Sequence, residues 1–336
     1  MIDTRLLCVC LASLLVTPFA LGASGNGIPD MSKGRIIFLG DSITQAGEYV
    51  SFVEYALNCT YPKLSFDIVS IGLASETVSG LTESVHPFPR PCVHDRLWAA
   101  LDVVKPKTVF ACYGINDGIY HPLSEDRFKA FKDGILKLIA IDKAAGAKTI
   151  LITPPPFDPV AAGSSVRPGN APDFSYMNVY EHYDDVVAEY GRWEMSLSGP
   201  DVQVIDVHSP LVDLMVSMRK DDPTFKLSDD GVHINELGHW TMAKAILKSL
   251  GFSNTSISAL GPPHYSSLFG REPEYEKIKS DPIFPLVDKL RKLRSEAWLP
   301  FVGYVRGTAF KTISVDEAEK EAAKIQAQID KLRKYA

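Results

Sequence analysis

The chain has 336 residues, 46% of them hydrophobic and 23% charged, with 23 glycines and 23 prolines. This is the balance of a folded globular protein rather than a disordered or fibrous one, and the length allows one substantial core plus an extension. Lys and Arg number 35 against 41 Asp and Glu, for a formal charge of −6. No broad basic field is available to hold a phosphate backbone, so nucleic acid is not an expected partner.

Taken in chain order, Arg5 precedes an apolar stretch over 6–19, followed by the small residues Ala20, Gly22 and Ala23. This pattern predicts a signal peptide over 1–23, cleaved near Gly22 or Ala23. The stretch is shorter than the ~20 apolar residues a membrane span needs, and Pro18 interrupts its end. A secreted or periplasmic protein with no stable membrane span is expected. Cys59, Cys92 and Cys112 remain after processing; they lack the CxxC spacing of a zinc site or redox pair, and their number leaves open whether one disulfide forms. The triplets at Asn58 and Asn254 match the glycosylation acceptor pattern, which is short enough to arise by chance.

From residue 33 onward, short β-rich runs at 35–39, 66–71, 108–113, 148–153 and 202–207 alternate with helical spacing at 49–57, 93–104, 125–145, 180–195 and 236–250. Strand and helix in strict turn predict an α/β fold with a five-stranded parallel sheet covered on both faces. In such sheets ligands sit at the carboxyl ends of the strands. Ser42, Gly72 and Asn116, which follow the first three runs, are thereby placed on one edge.

Two Pro-rich connections, 86–96 and 154–178, are too long and too rich in breakers to be simple links, and are expected to border the same cleft. Past Gly251 a C-terminal extension over 252–336 is predicted to carry helices at 284–298 and 315–335. Ser314 and Glu317 form a capping box, and Ala318, Ala322, Ile325, Ile329 and Leu332 make a narrow apolar seam. The seam is expected to lie on the catalytic part of the chain; pairing with a second copy, giving a homo-oligomer rather than a monomer, is the alternative. The basic run 289–294 reads as a solvated helix face.

Chemistry enters with GDSIT at 40–44. A serine hydroxyl is a poor nucleophile unless an imidazole takes its proton and a carboxylate holds that imidazole in the right tautomer. DGVH at 230–233 supplies both: Asp230 and His233 are three apart before a helix, a spacing that lets the carboxylate accept from one ring nitrogen while the other faces Ser42. YGIND contributes Asn116, a side-chain amide able to donate to an oxyanion. Asp41, Tyr113, Asp117, Tyr120, His121 and Phe157 are candidate substrate contacts.

This set resembles the SGNH or GDSL hydrolase family over residues 33–251: Ser42 in GDSIT, Gly72 in SIGLASET, Asn116 in YGIND and His233 in DGVHINELGH stand in the family's order. The resemblance implies a flavodoxin-like α/β/α sandwich. It implies Ser42 as nucleophile, Asp230 and His233 as its partners, and the Ser42 N–H, the Gly72 N–H and the Asn116 amide as oxyanion hole. The Gly72 block departs from the pattern, with Ser70 and Ser75 where the family often has Asn and a second Gly.

The expected reaction is acyl transfer to water, a serine ester hydrolysis that calls for no metal or cofactor. Small acyl esters, in particular acylated glycans, are the expected substrates, with lipid esters or thioesters second and a catalytically silent glycan-binding module as the reading from another class. The GxSxG elbow of the other large hydrolase class is absent from the sequence, and Ile43 stands where an aspartate-dependent phosphatase would need its second acid.

Overall fold

The structure, a computed structural model, describes residues 28–262, 273–302 and 313–334, except the Pro29 side chain. The expected signal peptide and Tyr335 lie outside the described residues. β1 (Arg35–Gly40), β2 (Asp67–Ser70), β3 (Thr108–Cys112), β4 (Lys148–Ile152) and β5 (Val202–Ile205) form one parallel sheet in the order β2-β1-β3-β4-β5. The strands read as continuous apolar runs because both faces are covered: every residue of β3 is buried, as are five of six in β1.

The covering helices are α1 (Ser42–Ala46), α2 (Glu48–Thr60), α3 (Leu97–Val104), α4 (Glu125–Ala144), α5 (Tyr183–Ser196), α6 (His208–Met218) and α7 (Glu236–Ser249). α2 packs on α7, and α3 on α4. Phe38 stacks on Phe110 at 4.5 Å within the sheet, while Phe52 of α2 meets Trp240 of α7 at 5.3 Å. Each such buried side chain contributes about 1.5–3 kcal/mol of transfer free energy.

The C-terminal helices α8 (Ile283–Phe301) and α9 (Val315–Arg333) pack on each other, and α8 lies against α2 and β2. The capping box at Ser314 is present, and Ala318, Ala322, Ile325 and Ile329 are buried within the same chain, so the apolar seam is covered without a second copy. The solvated face expected at 289–294 is overturned at two positions. Arg291 is buried and donates to Ser51 Oγ (2.6 Å); Arg294 is buried, donates to the Ile68 carbonyl of edge strand β2 (2.7 Å) and pairs with Asp67 and Glu319. α8 thus closes off the β2 edge of the sheet, which would otherwise offer unpaired backbone groups.

Cys59, Cys92 and Cys112 are free thiols. Asn58 is buried, with its amide donating to the Glu54 carbonyl, and is closed to glycosylation. No helix of the described residues is long and apolar enough to cross a membrane.

Candidate active site

β1 ends at Gly40, and Asp41 caps the helix that follows by accepting from the Ile43 N–H at 2.9 Å. Ser42 is therefore the first residue of α1, and its own N–H has no partner within the helix. Gly47, with φ of 66°, ends α1 after five residues; a Cβ there would lie 2.5 Å from the Arg291 guanidinium. The serine is held on a short, tightly capped turn at the carboxyl edge of the central strand.

His233 comes from the loop between α6 and α7. Its Nε2 lies 2.8 Å from Ser42 Oγ and its Nδ1 2.6 Å from Asp230 Oδ2, while Asp230 Oδ1 accepts the backbone N–H groups of Val232 (2.9 Å) and His233 (2.8 Å). Two stretches 191 residues apart in sequence meet in one bonded row. The loop is anchored from below: the Gly231 N–H donates to Ser228 Oγ, the Gly231 carbonyl accepts from Asp158, and Arg219 grips the Asp158 carboxylate through both oxygens at 2.6 and 2.7 Å. Gly231 has φ of 89°, and a Cβ would come within 2.9 Å of Phe157.

Electrostatics follow from these contacts. The hydrogen bond that the His233 ring donates to Asp230 raises the His233 pKa above its usual value, with burial opposing it. Partial burial works against ionisation of Asp230, but hydrogen bonds from the His233 ring and from two backbone N–H groups hold its carboxyl well below the usual range. Asp41, sealed beneath the site, is pushed up to about 7 by burial, against the pull of the Ile43 N–H.

Asn116 sits four residues past β3 in a chain of tight turns in which Ile119 and Tyr120 take positive φ (43° and 63°), a conformation uncommon for non-glycine residues. Its Oδ1 accepts from Arg90 (3.0 Å) and Tyr120 (2.9 Å), and one amide hydrogen goes to the Glu76 carbonyl (3.2 Å). Those two donors fix which end of the amide is nitrogen. The remaining amide N–H has no acceptor among the described residues, and Asn116 lines the cleft.

That cleft, of about 530 Å³, has Ser42, Ser75, Asn116, Tyr120 and His233 at its base. Ser75 follows β2, has φ of 68°, and its N–H has no acceptor among the described residues. Gly72 does not line the cleft. It packs against α1, where a Cβ would lie 2.4 Å from the Gln45 nitrogen, so the glycine serves a close backbone approach, while Ser75 of the same connection lines the cleft.

Of the six candidate substrate contacts only Tyr120 lines the cleft. Asp41 caps α1. Tyr113 is buried and donates to Glu76 (2.7 Å), Asp117 is buried and accepts the N–H groups of Val78 and Ser79, Phe157 is buried under the 230–233 loop, and His121 packs on Phe174. His208 pairs with Asp184 at 3.1 Å, off the cleft. The outer wall instead carries His86, Phe88 and Tyr176, with His86 edge-on to both other rings (4.6 and 5.4 Å). Arg90 lies behind it; the 86–96 connection signalled a cleft border, but nothing in its spacing singled out Arg90. Among the described residues no cluster of His, Cys, Asp or Glu is arranged to hold a metal.

A parallel sheet that delivers a serine, an imidazole and a carboxylate to one crevice at its carboxyl edge defines a hydrolase of the α/β class. The profile of the GDSL-like lipase/acylhydrolase family matches residues 38–241, and the chain belongs to that family. It is a carboxylic ester hydrolase. No curated protein matches the chain by sequence. Among solved structures, the gut microbial diltiazem-metabolizing enzyme BT4096 is similar at 14% identity and a TM-score of 0.64, covering 89% of this chain and 95% of its own. Axe2, an acetylxylan esterase from Geobacillus stearothermophilus, is similar at 21% identity and a TM-score of 0.45, covering 66% and 95%. LAE5, described as an alpha/beta hydrolase from the metagenome of Lake Arreo, Spain, has 22% identity and a TM-score of 0.47, covering 66% and 98%.

Proposed function

We propose that the protein is an exported esterase that removes small acyl groups, acetyl foremost, from carbohydrate through an acyl-enzyme on Ser42. The observation that carries the mechanism is the row Ser42 Oγ, His233 Nε2, His233 Nδ1 and Asp230 Oδ2, with spacings of 2.8 and 2.6 Å. Ser42 Oγ attacks the ester carbonyl carbon as its proton passes to His233 Nε2, and Asp230 steadies the imidazolium. The tetrahedral oxyanion takes hydrogen bonds from the Ser42 N–H, the Ser75 N–H and the free Asn116 amide hydrogen. His233 then returns the proton to the departing alkoxide, the alcohol leaves, and water repeats the sequence to release the acid.

Small acyl groups are favoured because the cleft beside Ser42 is walled by the hydrogen-bonded side chains of Arg90, Asn116 and Tyr120. Carbohydrate is favoured by the ring shelf at the mouth, where Tyr176 is 40% exposed and Phe88 37%, together with Asp229 at the rim. Such rings stack on the apolar face of a sugar while carboxylates take its hydroxyls. Export is supported by the Arg5 and 6–19 pattern with its small-residue end.

The test compares acetyl with long-chain nitrophenyl esters, and measures acetate release from an acetylated polysaccharide, with Ser42→Ala as control. Acetyl preference and polysaccharide deacetylation, both lost in Ser42→Ala, are the expected results. Preference for long chains would sink the carbohydrate reading, and retained turnover in Ser42→Ala would sink the mechanism.

A further inference from the structure

The Pro-rich connection 86–96 carries more than a cleft border. It sends two arginines back into the protein, each gripping a glutamate through both oxygens. Arg96 meets Glu76 at 2.6 and 2.7 Å, and Arg90 meets Glu83 at 2.6 and 2.7 Å. In the second pair both side chains are only 2% exposed. Removing two charges from water at this depth is costly, and a buried pair is weak evidence for stability. A functional reason is therefore to be sought in what else Arg90 touches.

Its remaining nitrogen, Nη1, donates to Asn116 Oδ1 at 3.0 Å and, more weakly, to the Ser75 carbonyl at 3.4 Å. The guanidinium also lies over the Tyr120 ring, 5.5 Å from its centre, and Tyr120 donates to the same Asn116 oxygen. One cation thus touches both chain segments that frame the oxyanion position, and it lines the cleft beside Ser42. A cationic donor on the amide oxygen polarises the amide, making its free N–H a stronger donor.

Resting on the Ser42 reading, we propose that Arg90 is the positioning residue of the oxyanion hole: its guanidinium, braced by Glu83, orients and polarises the Asn116 amide, holds the Ser75 segment, and sets positive charge behind the developing oxyanion. Its contribution is to the transition state and not to substrate affinity.

The experiment uses the full chain and nitrophenyl acetate. Active sites are titrated with a fluorophosphonate, so that rate is read per competent site rather than per chain. In the double variant Arg90→Gln with Glu83→Gln, a neutral bonded pair replaces the ionic one. A kcat per titrated site lower by roughly 10- to 100-fold is expected, below the loss for deleting a hole donor outright. KM should stay within about twofold and the midpoint of the pH–rate profile should not move. Arg90→Lys, which keeps the charge but not the fork, should recover part of the loss. Glu83→Gln, which loosens the brace but keeps the guanidinium, should lower kcat per site by about severalfold with KM unmoved, and wild-type kcat per site in this arm overturns the proposal if the Arg90 variants do not fold.

Wild-type kcat per site in the double variant or in Glu83→Gln, or a fall in titre alone, would overturn the proposal. Turnover surviving in Ser42→Ala would instead overturn the reading beneath it, so the two failures are told apart.

Discussion

At the scale of single residues, the charge state of His233 decides when the enzyme works. The imidazole must be neutral to take the Ser42 proton, and its partner Asp230 raises its pKa above the usual value. The neutral fraction at a given pH is thereby reduced, so hydrolysis of nitrophenyl acetate is expected to climb with pH through a midpoint above ~6.5 and then level off. Asp230→Asn removes the raising influence. Its profile should have a lower midpoint and a plateau down by about 10⁴-fold, and an unmoved midpoint would mean that Asp230 does not set the titration. Gly72 makes a second case: a Cβ at this position would stand only 2.4 Å from the Gln45 nitrogen, so Gly72→Ala must push α1 and Ser42 outward. A lowered melting temperature together with lost activity is expected, whereas Ser75→Gly, which frees a strained φ at no cost in N–H donors, should keep both. The row Ser42, His233 and Asp230 was legible in the sequence because spacing and strand-edge placement alone bring it together. The place of Ser75 in the cleft was not, because it depends on a left-handed backbone turn, and a serine does not announce one as a glycine does.

At the scale of elements, the five strands were legible because a sheet covered on both faces demands continuous apolar runs, and the runs at 35–39 and 108–113 have no other use. The expected helix over 93–104 is instead a 3₁₀ turn, Val93–Asp95, followed by α3, since Arg96 leaves the helical path to reach Glu76. α6 gave no signal: Pro210 reads as a breaker, yet in the first turn of a helix its missing N–H is no loss. The connection 154–178 divides its labour, with Phe157 and Asp158 supporting the His233 loop and Tyr176 reaching the cleft. α2 supplies a prediction of its own through Glu54, which burial pushes up to about 8 although Arg294 and Arg291 pull the other way. Unfolded, the same carboxyl loses its proton near 4.5. The folded state therefore binds the extra proton, and this contribution is full below 4.5 and is lost as pH rises through 8, at about 1.4 kcal/mol per pH unit in between. Glu54→Gln keeps the shape and abolishes the slope. Urea midpoints at pH 5, 6.5 and 8 should show the variant gaining on the parent as pH rises; a constant difference would mean that Glu54 stays ionised beside its arginines.

At the scale of the whole molecule, α8 and α9 belong to the same apolar core as the sheet: Phe284 meets Phe52 at 4.9 Å, and Ile283, Val287, Leu290 and Trp298 are buried with it. The polar contacts run the same way. Arg294 answers Asp67 and the β2 edge, Asp281 accepts from Tyr55 (2.7 Å), and Asp288 accepts from Ser51 (2.9 Å). Ending the chain at residue 262 would expose those apolar faces, take Arg294 from Asp67, and remove the partners that Ser51 and Tyr55 have in the C-terminal helices. The expected product is an insoluble or low-melting chain, not a smaller enzyme. Arg294→Met isolates the polar part: Asp67 keeps Arg35 and Glu319 keeps the Trp298 N–H, but the buried Ile68 carbonyl loses its donor, which should cost about 1–3 kcal/mol in a urea unfolding curve. Because Arg294 does not line the cleft, kcat and KM of the folded fraction at 25 °C should match the parent. A loss of kcat in Arg294→Met without a loss of stability would mean that α8 acts on the site directly; a truncated chain that melts like the full one would mean that the two helices fold as a unit apart.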